Sequence, residues 1–538
     1  MGDLGWLVCR SGAWLCVLAV MGCGSEDPSP DQAPIQPGVD VEVSSGPIHG
    51  EDAGELRVFR GIPYAAPPLA ELRFRAPTPH AKWSQRLDVT QFGPGCPQSG
   101  GSVLNPVDET AEDCLTLNIW AHQNAKGDEL RPVMVYLHGG GFVSGAGSSP
   151  LYESSRLATQ GDVVVVTLNY RLGALGFLAT PALVAESGID STWNNGLLDQ
   201  RAALRWLQAN IGVFGGDAQN VTLFGQSAGG VSVCAHLAMA ESRALFSKGI
   251  IQSGGGCEDI RRLENDPLPP GGTLALGEAF LAATSCASDP NPIECLRGVS
   301  VDELLAAQEQ VPANVWGNRA LGPSVGGDEL QAEPLQQLRG EPDVALPLLT
   351  GSMSAEMALF VFGNVVQAET EDDYQRVAEG LTGDSQKAEK LKTVYPLTQF
   401  ASVREAVVVM GTEFAYACPA RNLASLMASR GAPAFNYEMR ATVGGLAGAV
   451  GAGHGLDVPF VFGTLDASSL IAYDAQDRAL SDAMIEMWTN FARTGKPGGE
   501  WQAVNQGSLI LEEENFHMDI DPSAGRCQQL IQLGLLGN

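Results

Sequence analysis

Residues 221–233 read VTLFGQSAGGVSV, and this stretch indicates both a fold class and a candidate nucleophile. Its first four residues are β-branched or apolar, which is typical of a strand buried on both faces. The run breaks at GQSAGG (225–230), and apolar residues resume from 231 to 239. A strand, a tight turn and a helix are the setting of a G-x-S-x-G elbow, whose glycines lack the β-carbons that would collide at the strained central residue. The stretch therefore predicts an elbow that presents Ser227, although this motif alone leaves an ordinary glycine-rich turn open.

Strand-like and helix-like patterns alternate around the elbow. Apolar runs typical of buried strands occupy 132–137, 163–168 and 249–252, and helical spacing occupies 199–210. This βαβ rhythm predicts a mostly parallel central sheet with helices on both faces. Mainly helical sequence interrupts the rhythm after 261 and over 369–427, but strand-like runs return each time. We therefore predict one α/β domain over residues 41–538, with helical insertions over the active site.

The charge of the chain argues against one class of partner. The chain carries 62 acidic and 32 basic residues, a formal net charge of −30 at pH 7. Nucleic-acid binding depends on a basic surface that neutralises phosphates. We therefore expect no nucleic-acid partner.

The N-terminal residues have the pattern of an export signal. The apolar run AWLCVLAVMG (13–22) follows Arg10 and is too short to span a bilayer, but it suits a signal peptide. It ends in VMGC, which resembles a bacterial lipoprotein cleavage box and would make Cys23 the lipid-bearing N-terminus. The following residues are polar and proline-rich, as in a flexible tether. We predict a lipoprotein signal peptide over 1–22, a tether over 23–40 and a lipid anchor at the periplasmic or outer-membrane surface, with plain secretion as the alternative.

A catalytic serine needs a base, which a carboxylate orients in turn. Of the seven histidines, His454 stands in the glycine-rich stretch GAGHGLDVPF (451–460), which can carry it to the C-terminal edge of the sheet. The order serine, acid, histidine places the acid between 227 and 454, just past a strand end. Glu356, which follows a strand-like run at 348–350, fits this position. Position alone leaves Asp328 and Glu329 as competitors.

The stretch HGGGF (138–142) follows an apolar run and predicts a loop of backbone N–H donors for the oxyanion of a tetrahedral intermediate. The N–H of Ala228, directly after the serine, would be a further donor. A phosphate-binding loop is the rival interpretation. It fails because neither of the two glycine patterns that cradle phosphates occurs at 138–147.

Four longer stretches carry a family resemblance, namely EDCLTLNIW (112–120), NYRLGALGFL (169–178), NNGLLDQRAALRWLQANI (194–211) and FGGDAQNVTLFGQSAG (214–229). Together they resemble the type-B carboxylesterases, the group of carboxylesterases, cholinesterases and related lipases. The resemblance extends from about residue 41 to the C-terminus. It implies an α/β-hydrolase fold and a serine esterase that acts on a small-molecule ester without a metal or organic cofactor.

The resemblance also assigns roles to particular residues. It implies Ser227 as nucleophile, Glu356 as acid and His454 as base. The oxyanion donors would be the N–H groups of Gly140, Gly141 and Ala228. The implied disulfides are Cys96–Cys114, Cys286–Cys295 and Cys418–Cys527, which would leave Cys234 and Cys257 free.

Three departures from the family pattern narrow the expected substrate. Gln226 stands where a glutamate usually precedes the nucleophile, and Met357 follows the acid where glycine is common. The loop between Cys96 and Cys114 has no aromatic residue, whereas cholinesterases place there a tryptophan that binds the choline cation. We therefore expect short- to medium-chain or aryl esters rather than choline esters. A lipase for longer acyl chains and a non-catalytic surface protein of the same fold are the alternatives.

Overall fold

The computed structural model describes residues 39–537 except 100–106, 108, 124–129, 188–191, 258–259, 265–271, 313–320, 446, 513–515 and 524. The predicted signal peptide, most of the tether and Cys23 lie outside the described residues, so these expectations stay predictions. In the part of the chain that is described, no helix has the length and apolar character needed to cross a membrane.

The apolar runs around the elbow form strands, as predicted. The described strands are β1 Asp40–Val43, β2 Gly46–His49, β3 Glu51–Ala53, β4 Leu56–Pro63, β5 Leu87–Asp88, β6 Thr116–His122, β7 Arg131–Leu137, β8 Val164–Leu168, β9 Gly216–Gln226, β10 Lys248–Gln252, β11 Arg261–Arg262, β12 Ser324–Val325, β13 Leu348–Met353, β14 Ala434–Met439, β15 Gly444–Gly445, β16 Ile471–Ala472, β17 Ser508–Leu511 and β18 Phe516–Asp519.

The helices alternate with these strands and also fill the two predicted insertions. They are α1 Ser155–Gly161, α2 Gly173–Phe177, α3 Pro181–Ser187, α4 Asn195–Asn210, α5 Ala228–Ala238, α6 Ala240–Arg243, α7 Gly272–Ala282, α8 Pro292–Gly298, α9 Val301–Gln308, α10 Pro334–Gly340, α11 Ala358–Phe362, α12 Glu371–Thr382, α13 Ser385–Val394, α14 Val403–Thr412, α15 Cys418–Ser429, α16 Val458–Phe462, α17 Ala475–Thr494 and α18 Arg526–Gln532. One turn of π-helix, Glu413–Ala417, joins α14 to α15.

One large sheet organises the chain, in the order β18-β17-β14-β13-β10-β9-β7-β8-β6-β4-β3. The strands from β8 to β17 run parallel, as the βαβ rhythm predicts, whereas both edges are antiparallel. In a parallel sheet the C-terminal ends of the strands meet at one edge, where ligands bind in open α/β sheets. The loops after β7, β9, β13 and β14 therefore meet at the same edge.

Alternate residues of the central strands pack on opposite faces. Val135 and Leu223 belong to a core cluster with residues of α4 and α5, and Tyr136 and Phe224 belong to a cluster with residues of α17. Because both faces are covered, β7, β8 and the second half of β9 are rich in apolar residues, which is why they can be recognised in the sequence. This packing holds the strand ends, and the loops they carry, in fixed positions.

The disulfides correct one expectation. The structure contains Cys96–Cys114, Cys286–Cys295 and Cys418–Cys527, the pairs that the resemblance implied. The expectation that Cys234 and Cys257 are free is wrong, because they form a fourth bridge with a Cα–Cα distance of 5.2 Å. The reason is topological: β10 pairs with β9, so the loop after β10 comes back beside α5, the helix that follows β9. Their spacing in the sequence does not reveal this neighbourhood.

Candidate active site

Ser227 lies at the predicted elbow, between the end of β9 and the start of α5. Its backbone angles are φ 57° and ψ −124°, a conformation that costs free energy and is found where a fold holds it in place. A β-carbon on Gly229 would lie only 1.9 Å from the carbonyl oxygen of Leu137, so this position requires glycine. The backbone N–H of Ser227 donates to the carbonyl of Gln252 at 2.9 Å. Neighbouring strands thus fix the elbow.

His454 and Glu356 meet at the same edge of the sheet. His454 lies between β14 and α16, and its Nδ1 is 2.5 Å from Oε2 of Glu356. The Glu356 carboxylate is fully buried, and its Oε1 accepts a hydrogen bond from the backbone N–H of Met353 at 2.7 Å. Because an ionised carboxylate only accepts, the contact with Glu356 requires a proton on Nδ1 of His454, and in the neutral imidazole Nε2 is then bare. An imidazole in this tautomer can act as a base.

The bare Nε2 of His454 contacts Gln226, the residue that departs from the family pattern. The Nε2 atoms of Gln226 and His454 are 3.2 Å apart, so the amide donates to the imidazole. In the described part of the chain no hydrogen bond links Ser227 to His454. The sequence identifies Gln226 as unusual but does not reveal that its side chain contacts His454.

The competing acids of the sequence analysis lie elsewhere. Glu329 forms an ion pair with Arg201 of α4, and Asp328 is exposed in the loop before α10. His236 is buried on α5 against Gln200, 2.8 Å from its Oε1, and cannot reach Ser227. Of the candidates, the structure brings only Glu356 to His454.

The HGGGF loop lies beside the elbow. A β-carbon on Gly139 would be 3.1 Å from the β-carbon of Ser227. The N–H groups of Gly140 and Gly141 have no hydrogen-bond partner among the described residues. Ala228 opens α5, where the first N–H groups have no acceptor within the helix. All three N–H groups therefore have no acceptor among the described residues, and each can donate a hydrogen bond to a ligand.

A buried aromatic contact supports this loop from behind. The His138 ring stacks on Tyr170 at 4.4 Å, and the Tyr170 hydroxyl donates to the carbonyl of His138 at 2.7 Å. The ring Nδ1 is 2.8 Å from the carbonyl of Gly139. Burial lowers the pKa of His138 to about 4, so its imidazole is neutral near pH 7. His138 therefore shapes the loop and does not bring charge to it.

A second buried carboxyl, which sequence reasoning missed, stands three residues after the histidine. Oδ2 of Asp457 accepts hydrogen bonds from Gln252 Nε2 and from the Tyr437 hydroxyl, each at 2.8 Å. Burial raises the pKa of Asp457. The only signal in the sequence was an aspartate directly after the HGL stretch (454–456). Gln252 thereby joins the histidine loop to the elbow, because its backbone carbonyl holds Ser227.

Two aromatic rings flank His454. The ring of Phe360, on α11, lies 5.4 Å from the imidazole, and the ring of Tyr416 lies 5.3 Å away. Tyr416 belongs to the π-helical turn, a feature that is frequent at functional sites. Both rings come from the mainly helical segment between β13 and β14, so this segment supplies apolar walls to the site.

Comparisons with known proteins agree with this geometry. Residues 37–532 match the Carboxylesterase family. The chain is 34% identical over 516 residues to the para-nitrobenzyl esterase of Bacillus subtilis (strain 168), covering 91% of this chain and 98% of that protein. It is 32% identical over 496 residues to the acetylcholinesterase of Bungarus fasciatus, covering 85% of this chain and 78% of that protein.

Solved structures are similar over the same extent. A thermophilic PNB esterase superposes with a TM-score of 0.79 at 33% identity, covering 91% of this chain and 99% of that chain. A carboxylesterase of Geobacillus stearothermophilus superposes with a TM-score of 0.79 at 31% identity, covering 91% of this chain and 100% of that one. The α/β-hydrolase prediction is confirmed. The chain belongs to the carboxylesterase family and is an enzyme that acts on carboxylic esters.

Proposed function

We propose that the enzyme hydrolyses its ester through an acyl-enzyme on Ser227. The hydroxyl of Ser227 attacks the ester carbonyl while Nε2 of His454 takes its proton. His454 then gives this proton to the leaving alcohol, and a water molecule repeats the sequence to release the acid. Glu356 holds the imidazole in the required tautomer and stabilises its charged form.

The observation that carries this proposal is the contact of 2.5 Å between His454 Nδ1 and a fully buried Glu356, beside a serine in a strained elbow. Gly140, Gly141 and the first residue of α5 would donate to the oxyanion. Removing one such donor in a serine hydrolase costs on the order of 10²–10³ in rate.

For proton transfer, the hydroxyl of Ser227 has to replace the Gln226 amide at Nε2 of His454. We propose that the bound ester drives this exchange. Gln226 is neutral, so the exchange moves no charge into or out of the site. Gln226 holds the imidazole in its basic tautomer while the site is empty.

The proposed substrates are short- to medium-chain or aryl esters. The rings of Phe360 and Tyr416 beside His454 support this class, because flat apolar groups pack well on aromatic side chains. The name para-nitrobenzyl esterase, carried by a relative, indicates for that protein an ester whose alcohol part carries an aromatic ring. The alternative hypothesis is a lipase for longer acyl chains. A series of esters of increasing acyl length distinguishes the lipase from the short- to medium-chain esterase.

The test uses p-nitrophenyl esters from acetate to palmitate, with wild type beside Ser227→Ala. We expect activity to peak at short or medium chains and to vanish in Ser227→Ala. A fluorophosphonate probe should label wild type only. Equal, slow hydrolysis by both proteins, or labelling that persists without the serine, contradicts the proposed nucleophile. A maximum at palmitate favours the lipase reading.

We further propose that the enzyme is an exported lipoprotein anchored through Cys23. Four disulfides support export, since such bridges persist in oxidising compartments. Metabolic labelling with a fatty-acid analogue should mark the wild-type protein and not Cys23→Ser. A label that persists in this variant contradicts the anchor.

A further inference from the structure

We propose that three buried polar side chains, Gln200, Ser232 and His236, position the first turn of the nucleophile helix for catalysis. We call them the elbow relay. Nε2 of His236 lies 2.8 Å from Oε1 of Gln200, and Nε2 of Gln200 lies 3.1 Å from Oγ of Ser232. The Ser232 hydroxyl donates to the backbone carbonyl of Ala228 at 3.0 Å. The proposal rests on the function proposed above.

The direction of every hydrogen bond in the relay is fixed. A carbonyl only accepts, so Ser232 must give its one proton to Ala228 and accept from the amide N–H of Gln200. The oxygen of Gln200 therefore faces His236, whose imidazole must carry its proton on Nε2. One arrangement of protons satisfies the chain of bonds, and it runs from α5 to α4 and back to the start of α5.

The relay lies in an apolar environment. All three side chains are fully buried in the helical layer, among core residues that include Leu204, Val233 and Leu237. Nδ1 of His236 has no hydrogen-bond partner among the described residues. Apolar groups of the same shape would fill this space at little or no cost in stability. What the polar chain adds is orientation, because each of its three hydrogen bonds has one fixed donor and one fixed acceptor.

The relay ends where orientation matters most for catalysis. Ala228 is the first residue of α5, and its N–H is a proposed oxyanion donor. Its carbonyl belongs to the next peptide group, between Ala228 and Gly229, and accepts the Ser232 hydroxyl at 3.0 Å. The relay therefore restrains the Cα of Ala228, to which the donating N–H is joined. An oxyanion donor has to be held to within about 0.5 Å and 10–20° of its working geometry. Gln200, Ser232 and His236 touch no reacting atom and act as positioning residues.

The test compares variants that break the relay with one that preserves it. Ser232→Ala removes one oxygen, and His236→Leu removes the terminal donor. We expect each to lower kcat about tenfold without changing KM, since a misplaced donor weakens binding of the transition state alone. The affinity for a trifluoromethyl ketone inhibitor, whose adduct places an oxyanion in the site, should fall by the same factor. His236→Gln keeps an N–H donor for Gln200 and should restore kcat to within about threefold of wild type.

Ser242→Ala is the matched control. Ser242 is also fully buried, on the neighbouring helix α6, but its hydroxyl has no partner among the described residues and no link to the elbow. We expect wild-type kcat from this control, whatever its melting temperature. If Ser232→Ala and His236→Leu lower the melting temperature but leave kcat and inhibitor affinity within twofold of wild type, the relay is only structural and the proposal is overturned. A rise in KM at constant kcat overturns it too.

Two further results distinguish a failure of the elbow relay from a failure of the proposed nucleophile. If His236→Leu does not fold, Ser232→Ala decides alone, because it removes a single atom from a helix. If Ser227→Ala keeps full activity, the proposed nucleophile fails, and the relay then has no oxyanion site to position. Loss of activity in Ser227→Ala with full activity in Ser232→Ala refutes the relay only.

Discussion

Acid should destabilise the wild-type enzyme more than the His236→Gln variant. Burial lowers the pKa of His236 to about 3, and the nearby charge of Arg201 acts in the same direction. In the unfolded chain a histidine has a pKa of about 6.5. As the pH falls below that value, the unfolded state binds a proton that the folded state refuses, so stability is lost with falling pH until about pH 3.

The size of this effect follows from the two pKa values. At pH 4.5 the unfolded chain is about two pH units below the ordinary histidine pKa, and each unit is worth about 1.4 kcal/mol, so His236 removes about 3 kcal/mol of stability. At pH 7.5 its contribution is close to zero. His138, which is also buried with a lowered pKa, remains in both proteins and does not enter the difference.

Urea unfolding at pH 7.5 and pH 4.5, followed by tryptophan fluorescence with the disulfides intact, measures the free energy of unfolding of each protein. Between pH 7.5 and pH 4.5, wild type should lose about 3 kcal/mol more of its free energy of unfolding than His236→Gln loses. His517→Gln, which removes an exposed imidazole, is the control and should differ from wild type by less than about 0.5 kcal/mol. A wild-type to His236→Gln difference that stays constant between the two pH values refutes the reasoning.

Three other predictions concern the acid, the fourth bridge and the elbow. Glu356→Gln should lower kcat on p-nitrophenyl acetate by roughly 10³–10⁴, because the amide favours the wrong imidazole tautomer, and a loss below tenfold speaks against its role. Replacing Cys234 and Cys257 together by alanine should lower the free energy of unfolding by about 3 kcal/mol, because the bridge no longer constrains the unfolded chain. An unchanged midpoint of the urea unfolding curve contradicts this prediction. Gly229→Ala should abolish activity, because the new β-carbon would lie 1.9 Å from the carbonyl oxygen of Leu137. A folded variant with wild-type kcat contradicts this steric argument.

Most of the fold could be predicted because the sequence patterns that indicate it lie within short stretches of the chain. The central strands are covered on both faces, so several of them, such as β7 and β8, are apolar runs in the sequence. The elbow combines a strand end, glycines and a helix start within about ten residues. The antiparallel edge strands were less distinct, since short and partly exposed strands such as β3 and β18 have no such run.

The site could be predicted only as far as position along the chain determines position in space. Parallel strands bring Ser227, Glu356 and His454 to one edge, so the order of elements was informative. The contact of Gln226 with His454 depends on side-chain rotamers, and the bridge between Cys234 and Cys257 depends on how a loop returns over a neighbouring helix. Neither contact can be predicted from the spacing or the type of the residues in the sequence.

The crowding at the elbow constrains how this enzyme can change. Gly229 has no space for even one methyl group, and Gly139 lies against Ser227 itself. Laboratory evolution toward new esters should therefore leave this turn untouched and accumulate substitutions around Phe360 and Tyr416, whose rings lie beside His454. The proposed chemistry thus depends on positions that have no room for a larger side chain, whereas residues of the proposed substrate site lie on a separate part of the chain.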